Sequence, residues 1–450
     1  MRRGQDALHA SRAFLASAAD GRSAAGDRIV PMEGGSPMRI AVLYQYFKTR
    51  EGFGSTRSFE FVRRLRADGH EVLVITSTAR LSGFAGRPRW GVLEGEADGI
   101  PIWAVPSAYS NRMRFGRRVF EFLRFAVVSS MAVLRAPRPD LIYASSTPLT
   151  VAIPALAGRI LRRLPLLFEV RDLWPEVPIG MGILRNRIAI VLARGLARAA
   201  YRRSARVIAL SPGMRDGILR YGIEPGRVAV IPNGADLDLF RPDVDCGDLR
   251  RELEIEDAFM VVHTGAMGVV NGLEFMIPVC ERLAALDPRV VVFLVGEGSQ
   301  RPRLESLARD RGLANLRFFG PLPKTAIRRW LAAADLGLML IRRIPILEMN
   351  SANKFFDYAA AGLPCLMNYG GWKAELLRRY DAGEAVETDD PGRFASAICG
   401  LSADPERLRR MGEKARRMAE EEFDRDRQYQ AFLEVVRAAA GPPAGSADGR

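Results

Sequence analysis

From Met38 onward, short continuous runs of Val, Ile and Leu alternate with amphipathic stretches of helix length, and this alternation constrains the fold more than any other feature. RIAVLY, EVLVIT, DLIYAS, LLFEV, RVIAL and RVAVI come first; after IPNGADLDLFRP the pattern restarts with FMVVHTG, RVVVFLVGEG, LRFFG and DLGLML. Strands that are apolar throughout are buried on both faces, and helices between them make the connections parallel. The expectation is α/β: two doubly wound units joined where Pro232, Asn233, Gly234 and Pro242 supply turn chemistry. A chain of 450 residues, 48% hydrophobic, can bury two such cores. Open parallel sheets take ligands at the carboxyl ends of their strands, so two facing units hold a site in the cleft between them.

Composition narrows the chemistry. Cys246, Cys280, Cys365 and Cys399 are scattered, without the paired short spacing of a zinc site or disulfide framework, which points to a reducing compartment. Only His9, His70 and His263 are present and no acidic cluster has metal-ligand spacing, so neither a histidine triad nor a metal centre is expected. The net charge of +14 calls for an anionic partner: nucleic acid, an acidic membrane or a phosphorylated substrate. No uncharged apolar run reaches the roughly 18 residues of a membrane span. Residues 1–37 and 441–450 are polar or rich in small residues and read as disordered tails.

The loops after strands are the places for chemistry. GFGSTR, ending at Arg57, carries two glycines of a dinucleotide fingerprint with Arg57 where the third would stand; it reads as a dinucleotide site, a substrate loop using Arg57, or a tight turn. FEVRDLWPE brings Arg171, Asp172, Trp174 and Glu176 together behind an apolar strand, as substrate contacts or as an ion pair beside a core tryptophan. GAMGVVNG and GEGSQRPRLE place Gly265 and Gly296 where backbone can approach a ligand. In MNSANKFFDYAAAGLPCL, Ser351 is the expected N-cap of a helix from about Ala352 to Ala361, with Gly362 closing it. Free N–H groups at its amino end make an anion site, to which Lys354 adds charge, and Asp357 one turn on offers a carboxylate to sugar hydroxyls. The plain alternative is an exposed Lys354–Asp357 pair. RMRFGRRVFEFLRF has an apolar stripe of Phe115, Val119, Phe122 and Leu123 beside Arg114, Arg117, Glu121 and Arg124, the pattern of an interfacial helix or of a helix with one face in a core.

The GSTR loop, FEVRDLWPE, ALSPGM, IPNGADLDLF, GEGSQRPRLE, ADLGLML and NKFFDYAAAGLP, in this order from about Met38 to Leu433, make the chain resemble a GT-B glycosyltransferase of the large retaining family 4. Within that family it is most similar to the N-acetylated aminosugar branch, such as the L-fucosamine transferases of bacterial surface-polysaccharide synthesis. The resemblance implies two facing Rossmann-like domains with a cleft between them. Residues 38–241 would be the acceptor-binding domain, 242–424 the nucleotide-sugar-binding domain, and 425–440 a helix crossing back. It implies a UDP-linked donor, a lipid-linked or glycan acceptor, no metal or other cofactor and no nucleic-acid partner; the scattered cysteines and the basic amphipathic stretch add the expectation of a cytoplasmic protein peripheral on the acidic inner face of the plasma membrane.

Residue by residue, the resemblance gives Asp357 the nucleotide ribose. Asn353, Lys354 and their amides receive the diphosphate, Gly54 lies near the donor phosphate, and Gly265, Gly296 and Arg301 are further donor contacts. Arg171 and Asp172 stand where many members have a histidine region near the sugar, and Asp172 or Glu176 would orient the acceptor hydroxyl. Three positions depart from the pattern: Met349, with Glu348 one place off, where the first of two paired glutamates is expected, and Ala266 and Asn271 where a basic pair is expected. A nucleotide-sugar 2-epimerase of the same fold, or a partner-binding subunit with a degenerate donor site, are the rival readings.

Overall fold

The computed structural model describes residues 36–49, 56–81, 83–107, 113 and 115–441. Gly54, Arg114 and nearly all of both tails lie outside the described residues.

The first sheet holds β1 (Arg39–Leu43), β2 (Glu71–Ser77), β3 (Gly86–Arg89), β4 (Val92–Ala97), β5 (Ile100–Val105), β6 (Leu141–Ser145), β7 (Leu166–Val170), β8 (Arg206–Ala209) and β9 (Val228–Val230). Its order is β3-β4-β5-β2-β1-β6-β7-β8-β9. The second holds β10 (Phe259–Thr264), β11 (Val290–Val295), β12 (Leu316–Phe319), β13 (Leu336–Met339), β14 (Cys365–Met367) and β15 (Gly383–Ala385), in the order β12-β11-β10-β13-β14-β15. Every pairing is parallel except the β3–β4–β5 edge, where Arg89 faces Val92 and Leu93 faces Ala104 across antiparallel ladders. That edge departs from the all-parallel expectation; its strands are short, charged and partly exposed, as suits a sheet margin.

The helices that frame the sheets and their facing edges are α1 (Arg57–Ala67), α2 (Phe115–Arg135), α3 (Ala152–Leu161), α4 (Arg187–Arg203), α5 (Lys324–Ala333), α6 (Asn353–Ala360), α7 (Pro405–Glu422) and α8 (Arg425–Ala440). On one side of the first sheet α2, α3 and α4 lie side by side. On the other, α8 packs against β6, β7 and β8, its Phe432 stacked on Phe61 at 4.4 Å and edge-on to Tyr143 at 5.0 Å. The final helix thus belongs to the first sheet's core although every strand of the second sheet precedes it in the chain.

Which face of α2 enters the core differs from the sequence expectation. Phe125, Ala126, Ser129, Ala132 and Val133 are buried, whereas Phe120, Leu123, Val127, Met131 and Leu134 point outward. Val119 and Phe122 are half-buried between these faces. The helix is apolar on two sides, so its periodicity alone does not say which side is covered.

Candidate functional site

The carboxyl edges of the two sheets meet. Ser211, after β8, donates from Oγ to Met349 O (2.5 Å), and Asn233, after β9, donates from its backbone N to Ser351 Oγ (3.3 Å) and from Nδ2 to Ser351 O (2.5 Å). The loop feeding α6 is thereby pinned by the opposite sheet. Ser351 is used in this contact and is not the N-cap expected of it; Ala352 occupies the cap position without a side-chain bond, and Asn350 Oδ1 accepts from Ala352 N instead. Met349, where a paired glutamate is expected, packs its side chain against Gly213, so this position serves the junction of the two sheets.

On the second sheet, Gly265 and Gly296 end β10 and β11 with φ of +122° and +152°. A Cβ on Gly296 would fall 1.8 Å from Gly265 O, so the two turns touch backbone to backbone and only glycine fits. Gly296→Ala is therefore expected to lower the urea midpoint by the equivalent of about 1–3 kcal/mol, the usual cost of forcing atoms into a filled space; an unchanged midpoint would refute the close approach. Arg301 lies beneath this turn, donating to Gly296 O (3.0 Å), Phe319 O (3.2 Å) and Glu305 Oε1 (2.7 Å). It braces the loop with bonds that a donor-binding arginine would have to give up.

Lys354 reaches from α6 toward Gly265, and its Nζ lies 2.8 Å from His263 Nε2 at the end of β10. Burial lowers Lys354 to about 7 and drives His263 well below its ordinary value, Lys354 adding to the second effect. The imidazole is neutral, and its Nε2 accepts from Lys354 Nζ in the tautomer that carries the proton on Nδ1. Behind them Lys373, fully buried and pushed down by burial, donates to Asn350 Oδ1, while Trp372 Nε1 donates to Asn350 O (3.1 Å). Among the described residues no carboxylate pairs with either lysine. The amino end of α6 thus gathers Lys354, Lys373 and His263 with no described carboxylate among their partners. Sequence reasoning missed His263, Asn350 and Lys373; the only trace of the first is a histidine near the end of a largely apolar strand, two residues before a glycine.

Asp357 does not pair with Lys354. Its Oδ1 lies 3.0 Å from Lys324 Nζ, at the start of α5. Lys324 also pairs with Asp236 of the connecting segment, whose other oxygen accepts from Arg425 Nε (2.6 Å) at the start of α8. Two cations and two carboxylates close a largely buried network; burial and Asp236 raise the Asp357 carboxyl while Lys324 opposes them. Asp236, held by Arg425 and Lys324, falls well below the carboxylate range despite its burial.

Facing this edge, Arg171 lies with its guanidinium 5.0 Å from the Tyr44 ring and donates its backbone N–H to Ser146 Oγ (3.2 Å). Asp172 accepts from Thr147 Oγ1 (3.2 Å) and is raised by burial. Lys48 is lowered to about 7 by burial and by Arg171 and Arg80. These groups gather at the ends of β1, β2, β6 and β7. Glu176 does not join them: both its oxygens accept from Arg194 (3.0 Å each), and Tyr221 donates to one (2.9 Å). Those bonds hold its carboxyl low and make it a clasp between its short helix and α4. Arg57 is likewise no substrate arginine, being fully buried with Nε donating to Glu169 Oε2 (2.9 Å) and its other nitrogens to Ile231 O and Pro232 O. After the strand residues of FEVRDLWPE, Leu173 is buried, whereas Trp174 is half-buried.

Residues 54–234 match the family described as "Glycosyl transferase 4-like domain", and residues 258–404 that described as "Glycosyl transferases group 1". The Escherichia coli (strain K12) protein WcaI, whose name assigns it to colanic acid biosynthesis as a glycosyl transferase, is 26% identical over 303 residues, 63% of this chain and 72% of that one. D-inositol 3-phosphate glycosyltransferase 2 of Catenulispora acidiphila is 31% identical over 209 residues, 43% of this chain, and the match spans only 47% of that relative's length. Among solved structures, Anabaena Alr3699/HepE in complex with UDP and glucose superposes with a TM-score of 0.67 at 20% identity, over 89% of this chain and 99% of that one. WaaG, a glycosyltransferase involved in lipopolysaccharide biosynthesis, gives 0.68 at 17% identity over 88% and 99%. At these identities the likeness is one of fold.

Proposed function

The chain belongs to the GT-B glycosyltransferases, with a glycosyl transferase 4-like domain followed by a group 1 domain, and from that premise we propose a retaining, metal-independent enzyme that moves an N-acetylated aminosugar from a UDP-linked donor to a lipid-linked or glycan acceptor. One observation carries the reading: at the amino end of α6, Lys354 and His263 lie beside the Gly265–Gly296 contact, next to the first-turn N–H groups of the helix and with no described carboxylate paired to Lys354. Such a place suits a diphosphate. UDP in the Anabaena structure supports the choice of nucleotide, and the name of WcaI supports surface-polysaccharide synthesis. The aminosugar rests on the motif resemblance.

In this reading the bond between the anomeric carbon and the diphosphate oxygen breaks, and the acceptor oxygen bonds to the same face of the sugar. The departing oxygen gathers negative charge and takes the acceptor's proton. Lys354 and the α6 amides stabilise that charge, in a site that needs no reorganisation to do so. Asp357 turns an oxygen to the ribose hydroxyls, with Lys324 opposing the rise that burial and Asp236 impose on its carboxyl. Arg171 and Asp172 face the sugar and acceptor, and enzyme and acceptor meet at the inner face of the plasma membrane. No described helix is long and apolar enough to cross a membrane.

A panel of UDP- and other nucleotide-sugars tests the reading by protection against thermal unfolding. A ligand at about a hundred times its Kd stabilises by roughly 2.7 kcal/mol. UDP with an acetamido sugar should protect, and Asp357→Asn should weaken that protection, read as the ligand-induced rise over the variant's own unliganded Tm; no protection by any nucleotide would defeat the proposal. Transfer products rather than epimerised donor separate it from the 2-epimerase.

The pH dependence follows from Lys354. In the free protein the amine titrates near 7, and a bound diphosphate raises it. Affinity for UDP should be level below about pH 7 and fall above it, each binding event taking up a proton. Titration calorimetry at pH 8 in two buffers of different ionisation heat measures that uptake. Lys354→Arg, charged throughout, should remove both the uptake and the alkaline fall.

A further inference from the structure

The layer of α2, α3 and α4 faces outward with a surface unlike the rest of the molecule. Phe120, Leu123 and Val127 on α2 and Ile188, Val191 and Leu192 on α4 are each between 50% and 72% exposed. On α2 they continue through Met131 and Leu134 as one helical stripe, and Ile160 and Leu161 at the end of the intervening α3 are exposed as well. Apolar exposure on this scale, on three helices packed side by side, marks a surface that is covered in use.

Charge says what covers it. The three helices contain ten arginines and a single acidic residue, Glu121, which is buried against Ser107. Where α3 and α4 end, Arg159, Arg163, Arg202, Arg203 and Arg227 ring an open cavity of about 640 Å3. Arg159 donates to Arg203 O (3.2 Å) and Arg227 to Arg202 O (3.0 Å), which fixes the rim. None of the five pairs with a described carboxylate. Beside the other flank, exposed Trp90 has the Arg89 guanidinium 4.0 Å above its ring and Arg135 at 5.7 Å. An apolar plateau bordered by arginines and an amphipathic aromatic ring matches the boundary between acyl chains and anionic headgroups. Helix α7 of the second domain shows the contrast, its arginines being matched by Glu406, Glu413, Glu420 and Glu421.

We infer that the outer faces of α2, α3 and α4 form one continuous docking surface for an anionic phospholipid bilayer, in which the apolar side chains enter the headgroup–acyl boundary and the arginine cavity receives a lipid phosphate. This deepens the peripheral placement proposed above and is independent of the donor-site chemistry. It also corrects the sequence-based stripe: of Phe115, Val119, Phe122 and Leu123, only Leu123 lies on the exposed face among the side chains described. Bound this way the protein buries few residues in lipid and stays reversibly attached.

The test is cosedimentation of the full chain with vesicles of phosphatidylcholine alone and with phosphatidylglycerol added. Binding should be at least tenfold stronger on the anionic vesicles and fall with salt. The double variant Leu123→Glu/Val191→Glu and the variant Arg163→Glu/Arg202→Glu should each lose at least tenfold while still binding UDP as the parent does. Arg409→Glu/Arg417→Glu on α7, the same change of charge elsewhere, should retain binding. Equal recovery in the supernatant with both kinds of vesicle overturns the proposal, as does an equal loss in the α7 variant. Displacement by inorganic phosphate at constant ionic strength would assign the cavity to free phosphate and overturn the headgroup role. A lipid-free dimer in sedimentation velocity that Leu123→Glu/Val191→Glu dissociates would give the plateau to a second copy of the chain, which also overturns it.

Discussion

Lys354→Ala is expected to lower turnover by about 10²–10³-fold, equivalent to roughly 3–4 kcal/mol, the range for removing one preorganised group from a developing anion. The ammonium is the charged side chain nearest the Gly265 turn, and its only described partner is neutral His263. Removing it leaves no buried charge behind, so the unfolding midpoint should stay close to the parent's. That separates this position from the Asp236–Lys324–Arg425–Asp357 network, where losing one member strands another. Single-turnover measurement with saturating donor reads the chemical step directly, and Lys354→Arg should recover part of the rate. A rate within threefold of the parent would remove Lys354 from the reaction.

The largest loss of stability is expected at Arg57→Met, about 3–5 kcal/mol, because Glu169 would keep its charge in the core without its partner. Arg57 and Glu169 are both fully buried and joined at 2.9 Å, and Ser145 donates to the second Glu169 oxygen at 2.8 Å. Burial raises the Glu169 carboxyl, but Arg57, Arg171 and these hydrogen bonds outweigh it, leaving the carboxyl below its ordinary value. A carboxyl depressed on folding adds stability above its unfolded pKa, and that stability is lost as pH falls through the folded one. In Arg57→Met the depression is gone and protonation relieves the stranded charge, so the difference between variant and parent should shrink from pH 8 to pH 5. Urea midpoints at both values measure it. Arg57→Met/Glu169→Leu should be more stable than Arg57→Met alone, since no buried charge remains. If the gap instead widens toward pH 5, the pair is not ionised in the native state.

How much of this the sequence shows depends on the range of the interaction. The strands β1, β2 and β6–β13 are legible because each lies in a short, mostly apolar run. The β3–β4 hairpin is not, since GRPR and VLEGEA carry charges on an exposed margin, and β14 and β15, of three residues each, are too short for a period. At the site, Lys354 and Asp357 are visible through helix start and stop signals acting over a few residues. Their partners are not: His263 lies 91 positions from Lys354, and Asp357 meets Lys324 and Asp236 only through tertiary contact. Arg57 and Glu176 mislead for the same reason, a charged residue after a strand giving no sign of whether its partner is a ligand or a distant side chain. The face of α2 is ambiguous for another reason, both of its sides being apolar.

The placement of α8 bears on how the protein is made. The sheet of the first domain is complete at Val230, yet Phe432 fills the space between Phe61 and Tyr143 and Tyr429 donates to Asp68 (2.5 Å). At ribosomal speeds of about 5–20 residues per second, the roughly 200 residues between β9 and the end of α8 take some 10–40 s to appear. For that interval the face of β6–β8 waits uncovered on the nascent chain while the second domain is being synthesised and folded. The core of the first domain is therefore closed only by a helix that is synthesised after every strand of the second sheet.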